Sequence, residues 1–143
     1  MKVNFKGLSS TAKAPVYSSL SAGGADLHND SGELIIKPNQ TVFAGTGIAM
    51  QIPEGYVGLV FARSGLACKQ GLAPANKVGV IDSDYRGEIK VALHNHSEQT
   101  QVVAQGERIA QIVIVPYLRC EFCESELDKT ERGEGGFGST GKN

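Results

Sequence analysis

The sequence predicts an all-β domain, an antiparallel β barrel or double-sheet jelly roll. Three observations predict it. The chain holds 18 glycines in 143 residues, about twice the usual ~7%, and thirteen of them, from Gly7 to Gly106, cut it into short pieces. Few windows free of Gly and Pro are long enough for a globular helix. The pieces that remain alternate apolar and polar residues with the period of a strand.

Taken in order, the strand candidates are residues 2–6, 33–37, 40–44, 46–52, 57–62, 78–82 and 108–115. Turn signals such as NDSG (29–32), KPNQ (37–40) and PEG (53–55) separate several of them. The two longest windows without Gly or Pro, 88–105 and 117–132, also begin as strands. In the first, Ile89, Val91 and Leu93 alternate with Lys90, Ala92 and His94. In the second, Leu118, Cys120 and Phe122 alternate with Arg119 and Glu121. The one plausible helical turn lies near SGLACKQ (64–70). No period of 20–50 residues appears, so a repeat architecture is not expected. Residues 1–127 form the expected domain. Residues 128–143 (DKTERGEGGFGSTGKN) hold five glycines, one aromatic and no aliphatic residue. Such a segment gains too little burial to offset its ordering entropy, which leaves either a frayed tail or an arm that orders over a ligand.

Length fits a single domain. Fourteen Lys and Arg against fifteen Asp and Glu give a net charge of −1, which argues against stable nucleic-acid or anionic-lipid binding. No apolar run approaches a membrane span, and the start MKVNFKGLSS has no signal-peptide core. The cytoplasm is the expected compartment, or the host cytoplasm for a viral chain. Cys120 and Cys123 form a C-x-x-C with no second pair to complete a zinc site; on a strand their sulfurs would diverge, so they read, with Cys68, as unconnected thiols. His28, His94 and His96 lack metal-ligand spacing and receive no role.

Chemistry concentrates where glycine meets charge or hydroxyl. AGGADL (22–27) places Asp26 after two glycines; ARSGL (62–66) joins Arg63 and Ser64 to a permissive turn. Backbone N–H groups in such a turn can cradle an anion, with the guanidinium and hydroxyl as further donors. GERIAQI (106–112) sets Arg108 and Gln111 into an apolar strand, and the arginine reads as a buried ion-pair partner. RGEGGFGSTG (132–141) offers an arginine, two hydroxyls and close-approaching backbone. Together these segments suggest a polyphosphate. Asp82, after the apolar run Val78–Ile81 and three residues before Tyr85, is either a general base for water at the end of a buried strand or part of a hydrophilic turn with Ser83 and Asp84.

The ordered series AGGADL, ARSGL, GVIDSDYRG, GERIAQ and RGEGGFGSTG resembles the five motifs of the trimeric dUTP pyrophosphatase family, across residues 22–141. The resemblance implies a distorted jelly-roll-like β barrel, a flexible Gly-rich C-terminal arm, and a homotrimer with active sites shared between subunits. It implies hydrolysis of dUTP to dUMP and pyrophosphate with Mg²⁺, which limits uracil incorporation into DNA and supplies dUMP for dTMP synthesis. Matched position by position, Asp82 would activate the attacking water and contact the 3′-hydroxyl. Tyr85 would exclude a 2′-hydroxyl, and Asn76 with the backbone around Gly79 would read uracil. Arg63, Ser64, Gly65 and Gln111 would hold phosphates, and Asp26 would orient water on the Mg²⁺. From the arm, Phe137 would stack on uracil while Arg132, Ser139 and Thr140 hold the γ-phosphate. Arg108 would be structural.

Two positions depart from the family pattern: Ala62 stands where proline is usual, and Ala25 where an aromatic is frequent. Neither removes a chemical group. The mechanism so implied is physically coherent, because a cation and arginines offset the charge that opposes in-line attack of water on the α-phosphorus, and a closing arm excludes bulk water. Two alternatives remain: a deaminase of the same fold acting on dCTP, and a nucleotide-sensing regulatory module.

Overall fold

A computed structural model describes residues 1–136. Twelve strands and one short helix follow in order: β1 (Asn4–Gly7), β2 (Val16–Tyr17), β3 (Ala25–His28), β4 (Leu34–Ile36), β5 (Thr41–Gly45), β6 (Ile48–Gln51), β7 (Tyr56–Phe61), α1 (Ser64–Gln70), β8 (Leu72–Pro74), β9 (Gly79–Ile81), β10 (Lys90–Asn95), β11 (Gln101–Val103) and β12 (Arg108–Pro116). All pairings are antiparallel. The largest sheet runs β2-β3-β12-β7-β9; smaller sheets are β5-β10-β8, β11-β4 and β1-β6. This is the expected jelly-roll-like all-β fold. No helix among the described residues is long and apolar enough to cross a membrane.

Alternation decides which faces are buried. In β10 the pattern places Val91, Leu93 and Asn95 inside. With Leu27, Ile36, Ile48, Leu72 and Ile109, Val91 and Leu93 form one apolar core, beside which Asn95 is buried as a polar residue. Burying side chains of this size stabilises by ~1.5–3 kcal/mol each. The helix is short because Gly71 terminates it at φ 68°, a left-handed cap that favours glycine. Leu66 anchors it to the core.

The strands are related by an internal pseudo-two-fold that a search for 20–50-residue periods cannot find, because its offset is larger. Strands β3, β4 and β5 correspond to β10, β11 and β12. β4 and β11 pair with each other, Ile35 opposite Val102, while β3 takes β12 and β10 takes β5. The relation is legible in Leu27-His28-Asn29-Asp30-Ser31 against Leu93-His94-Asn95-His96-Ser97. Asn29 and Asn95 are both fully enclosed. Asn29 donates from Nδ2 to the carbonyls of Gly32 and Ala104 at 2.6 and 3.1 Å and accepts Ser31 N–H at 3.0 Å. Asn95 donates to Gln99 and Ile36 at 2.7 and 2.9 Å and accepts Ser97 N–H at 2.9 Å. Their backbones repeat the relation: Asn29 N–H reaches Glu107 O and Asn95 N–H reaches Gln40 O.

Four strands went unpredicted: β2, β3, β8 and β11. All have four residues or fewer, too short for a period to declare itself. β8 even contains Pro74, tolerated because β8 is an edge strand. The strand reading of residues 118–122 is corrected. Among the described residues regular structure ends at Pro116, and residues 117–130 are exposed coil. Leu118 and Leu127 are each 91% exposed and Phe122 is 97% exposed. Alternation alone makes no strand where no neighbouring strand offers its hydrogen bonds. The sulfurs of Cys120 and Cys123 are therefore not held apart by a pleat, and both residues are exposed.

Candidate active site

Of the residues singled out above, those that precede the C-terminal arm gather in two places along the five-stranded sheet. The first is an ionic cluster. Asp26 lies on β3 opposite Gln111 of β12, and Gln111 lies opposite Phe61 of β7, so Arg63 emerges beside them just past the end of β7. The Asp26 carboxylate is 9% exposed and receives Arg63 Nε on Oδ1 at 2.7 Å and Arg108 Nη1 on Oδ2 at 3.2 Å. One negative charge thus holds two positive ones and leaves a net positive charge for an anion. A register shift between Arg108 and Ala110 produces this arrangement. The additional residue brings Gln111, rather than Ala110, opposite Asp26, a use of a β-bulge frequent next to active sites.

Gln111 is fixed in turn by its Nε2, which donates to Ala62 O at 2.9 Å. A Cβ at Gly24 would stand 2.6 Å from Gln111 Oε1, so glycine is needed there for the side chain to lie as it does. Ser64 and Gly65 open α1, and both are exposed. The first helical bond is Ala67 N–H to Arg63 O, which leaves the N–H groups of the opening turn without helical partners. A Cβ on Gly65 would meet nothing within 4 Å, so the backbone is open to close approach. The reading of Arg108 as a structural ion-pair partner agrees with its bond to Asp26, although its side chain is half exposed, not buried.

The second place is the segment 76–88. Lys77, at φ 65°, turns the chain between β8 and β9, and Asn76 Nδ2 lies 3.5 Å from where a Cβ on Gly79 would stand. Asp82 follows β9 and begins a turn closed by Tyr85 N–H to Asp82 O at 3.2 Å. Arg86 braces that turn from inside, donating from Nη1 to Ser83 O and Tyr85 O at 2.7 and 3.0 Å. Asp82 borders an open cleft of about 1050 Å³ together with Val57, Leu59, Val80, Arg86 and Arg119. The expectation of a base at the end of a buried strand is corrected. β9 is an edge strand, Val80 is 62% exposed, and Asp82 itself is exposed.

Within one chain Asp82 does not meet the cluster, although Gly79 at the other end of β9 is level with Val60, next to Phe61. Ile81 pairs with Gly58, which sets Asp82 level with Val57, six positions before Arg63 along β7. At ~3.3 Å per residue this is roughly 20 Å of strand. Arg132, in the described part of the arm, donates from Nε to Gly135 O at 2.8 Å and contacts neither place by a hydrogen bond. Phe137, Ser139 and Thr140 lie outside the described residues. Among the described residues no group of three His, Cys, Asp or Glu could hold a metal ion. Arg86 and the Gly24–Gln111 contact were missed by sequence reasoning. The pairing Y-R and the doublet GG were visible, yet nothing local says which carbonyl an arginine will brace.

The dUTPase family model matches residues 10–141. The chain is 50% identical to a deoxyuridine 5′-triphosphate nucleotidohydrolase of Nautilia profundicola, over 99% of this chain and 100% of that one. It is 48% identical to the enzyme of the same name from a Hydrogenobaculum species, over 99% of both. Among solved structures it is similar to a Staphylococcus bacteriophage 80alpha dUTPase variant with dUpNHpp. That match has a TM-score of 0.86 and 29% identity over 99% of each chain.

Proposed function

This chain belongs to the dUTPase family and is a dUTP diphosphatase, and from that premise we propose that each of its active sites is assembled from more than one copy of the chain, in a homotrimer. The separation of the two places carries this reading. Asp82 and the cluster of Asp26, Gln111 and Arg63 stand four to six residues apart along β7 and its extension, on a sheet face whose Val57, Leu59, Val80, Val113 and Val115 are not fully buried. A second copy laid against that apolar face buries it and carries one copy's cluster to the other's base, as expected of symmetric association.

In this reading Asn76 and the backbone at Gly79 bind uracil, Tyr85 packs on the deoxyribose, and Asp82 accepts the proton of the water that attacks the α-phosphorus. Pyrophosphate leaves with its electron pair, and dUMP retains the new P–O bond. Arg63 spends only Nε on Asp26, so its two terminal nitrogens remain for phosphate oxygens. Ser64, Gly65 and Gln111 supply further donors. The arm brings Phe137 to uracil and Arg132, Ser139 and Thr140 to the γ-phosphate. Removing dUTP limits uracil incorporation into DNA and provides dUMP for dTMP synthesis.

Both Asp26 oxygens are committed to arginines, and direct ligation of Mg²⁺ would break those bonds. The residues fit a metal that arrives on the triphosphate, with Asp26 holding one of its waters. When bound, Mg²⁺ offsets phosphate charge and polarises the reacting phosphoryl group.

The test mixes two inactive chains, one ending at Thr130 and one carrying Asp82→Asn. Unfolded and refolded together in equal amounts, they should make about one quarter of sites complete if base and arm come from different copies. Absence of recovery, after mixed oligomers have been demonstrated, would overturn the shared arm. The same mixture with Arg63→Ala in place of the truncated chain tests base against cluster, and absence of recovery there would overturn the shared site.

A further inference from the structure

The geometry points to Gly87 as a positioning residue for sugar selection, acting through Tyr85; this rests on the reading above that Tyr85 packs on the deoxyribose. A Cβ built on Gly87 would lie 2.4 Å from the Tyr85 hydroxyl oxygen, 2.6 Å from Cζ and 2.9 Å from Cε2. No such contact is sustainable, and the atoms concerned belong to a rigid ring rather than to the far end of a flexible chain. The hydroxyl end of the ring therefore lies close against the bare Cα of Gly87. Its hydroxyl donates onward to Glu88 O at 2.9 Å, which fixes both its tilt and its reach. The other side of Tyr85 stays open, the residue being 45% exposed. Tyr85 borders a small cavity of about 250 Å³ with Phe43, Val80, Ile81 and Asp82, so the ring and the candidate base line one space.

The platform beneath the ring is itself pinned. Glu88 Oε1 accepts Gly47 N–H at 3.0 Å, and Oε2 meets Lys90 Nζ at 3.5 Å. Ile89, next along, is enclosed in the core and exchanges backbone bonds with Thr46 and Ile48. The carbonyl that holds the hydroxyl thus sits on an immobile strand entry. Gly87 is not among the glycines with positive φ, so its backbone accepts any L-residue. The absence of a side chain there serves the ring and not the turn.

A ring pressed against a glycine can measure the sugar edge, because it cannot retreat to admit an added oxygen. Gly87→Ala removes that support and forces the ring off Glu88 O. We expect folded Gly87→Ala protein to lose most of its preference for dUTP over UTP. The loss should be ~10-fold or more in the ratio of kcat/KM values, within the range that shape discrimination in a pocket supplies. It should fall chiefly on KM for dUTP, since Asp82 is not displaced.

The experiment measures that ratio for wild type, Gly87→Ala, Tyr85→Ala and the double variant, with melting temperature as the control for folding. If Tyr85→Ala leaves the ratio unchanged, Tyr85 does not select the sugar and the underlying reading fails. If Tyr85→Ala lowers the ratio and Gly87→Ala does not, this inference alone is overturned. If both lower it, the double variant should be no worse than Tyr85→Ala, because the added methyl then has no ring to displace; additive losses would overturn the proposed route. Should Gly87→Ala fail to fold, Tyr85→Phe removes the bond to Glu88 O while keeping the ring. A ratio unchanged in Tyr85→Phe would then overturn the proposal, and a reduced ratio would support it.

Discussion

The β3–β12 ladder and the β10–β5 ladder share a backbone plan and carry opposite chemistry. His28 pairs with Arg108 in the first, and His94 pairs with Thr41 in the second. Two residues further along, Asp26 faces Gln111 where Ala92 faces Phe43. The buried asparagines and their turns are alike in both. What separates the ladders is one bulged residue and a few side chains. Architecture in this molecule rests on features the halves share, and the candidate chemistry on those they do not. The specialisation has a visible cost: His94 Nδ1 is hydrogen-bonded to Thr41 Oγ1 at 2.8 Å. Its counterpart His28 Nδ1 is buried without a hydrogen-bond partner among the described residues, because Arg108 stands where threonine would and points to Asp26.

The sharpest way to break this contrast is at Asp26. In Asp26→Ala both guanidinium groups lose their anchor, and misplacement on the scale of an ångström is worth about 10²-fold in rate. Turnover of dUTP should fall by at least that factor, while circular dichroism stays unchanged. Turnover within twofold of wild type would show that the ladder's charge is ornamental and the halves differ only in appearance.

The asparagines test the other side of the comparison. Asn29→Ala and Asn95→Ala each strip two donors and an acceptor from backbone groups that are part-buried or, at Ile36 O, buried. At ~1–3 kcal/mol per buried group left unsatisfied, each should lower stability by roughly 2–4 kcal/mol in urea titrations. The two values should agree. A tolerant Asn29 beside an intolerant Asn95 would end the equivalence.

Smaller effects are expected at the left-handed residues Asn39 (φ 59°) and Gly106 (φ 77°), which donate to Asn95 O and Asn29 O respectively. Gly106→Ala should cost about 1–2 kcal/mol from backbone strain. Asn39→Gly should change stability by only a few tenths, since asparagine already tolerates this region. A large loss in Asn39→Gly would mean that its side chain carries something the halves do not share.

The mildest signature is a pH dependence confined to one half. Burial, with Lys13, Arg108 and Arg63 nearby, holds the His28 pKa below its usual value, against a smaller opposing pull from Asp26. The folded state therefore prefers neutral His28. Its contribution is fully present above the unfolded pKa of about 6.5 and is lost as pH falls through the lowered folded value. Stability of His28→Gln should decline less than wild type as pH falls below about 6.5; identical slopes would remove His28 from the account.

The sequence by itself determined the class of fold, most strand positions, the helical turn at 64–70 and the motifs that resemble a dUTPase. These properties are local. Period-two alternation, glycine spacing and turn residues act over a few neighbours, and five short motifs can be recognised in order without knowing where they lie. Tertiary structure alone decided the rest. The exchange of strands between two similar halves and the bulge that aligns Gln111 with Asp26 both depend on residues tens of positions apart. So does the fate of residues 118–122, whose pattern reads as a strand but which pair with no other strand among the described residues of the chain. A sequence can encode the alternation of a strand, but a strand exists only where another backbone accepts its hydrogen bonds.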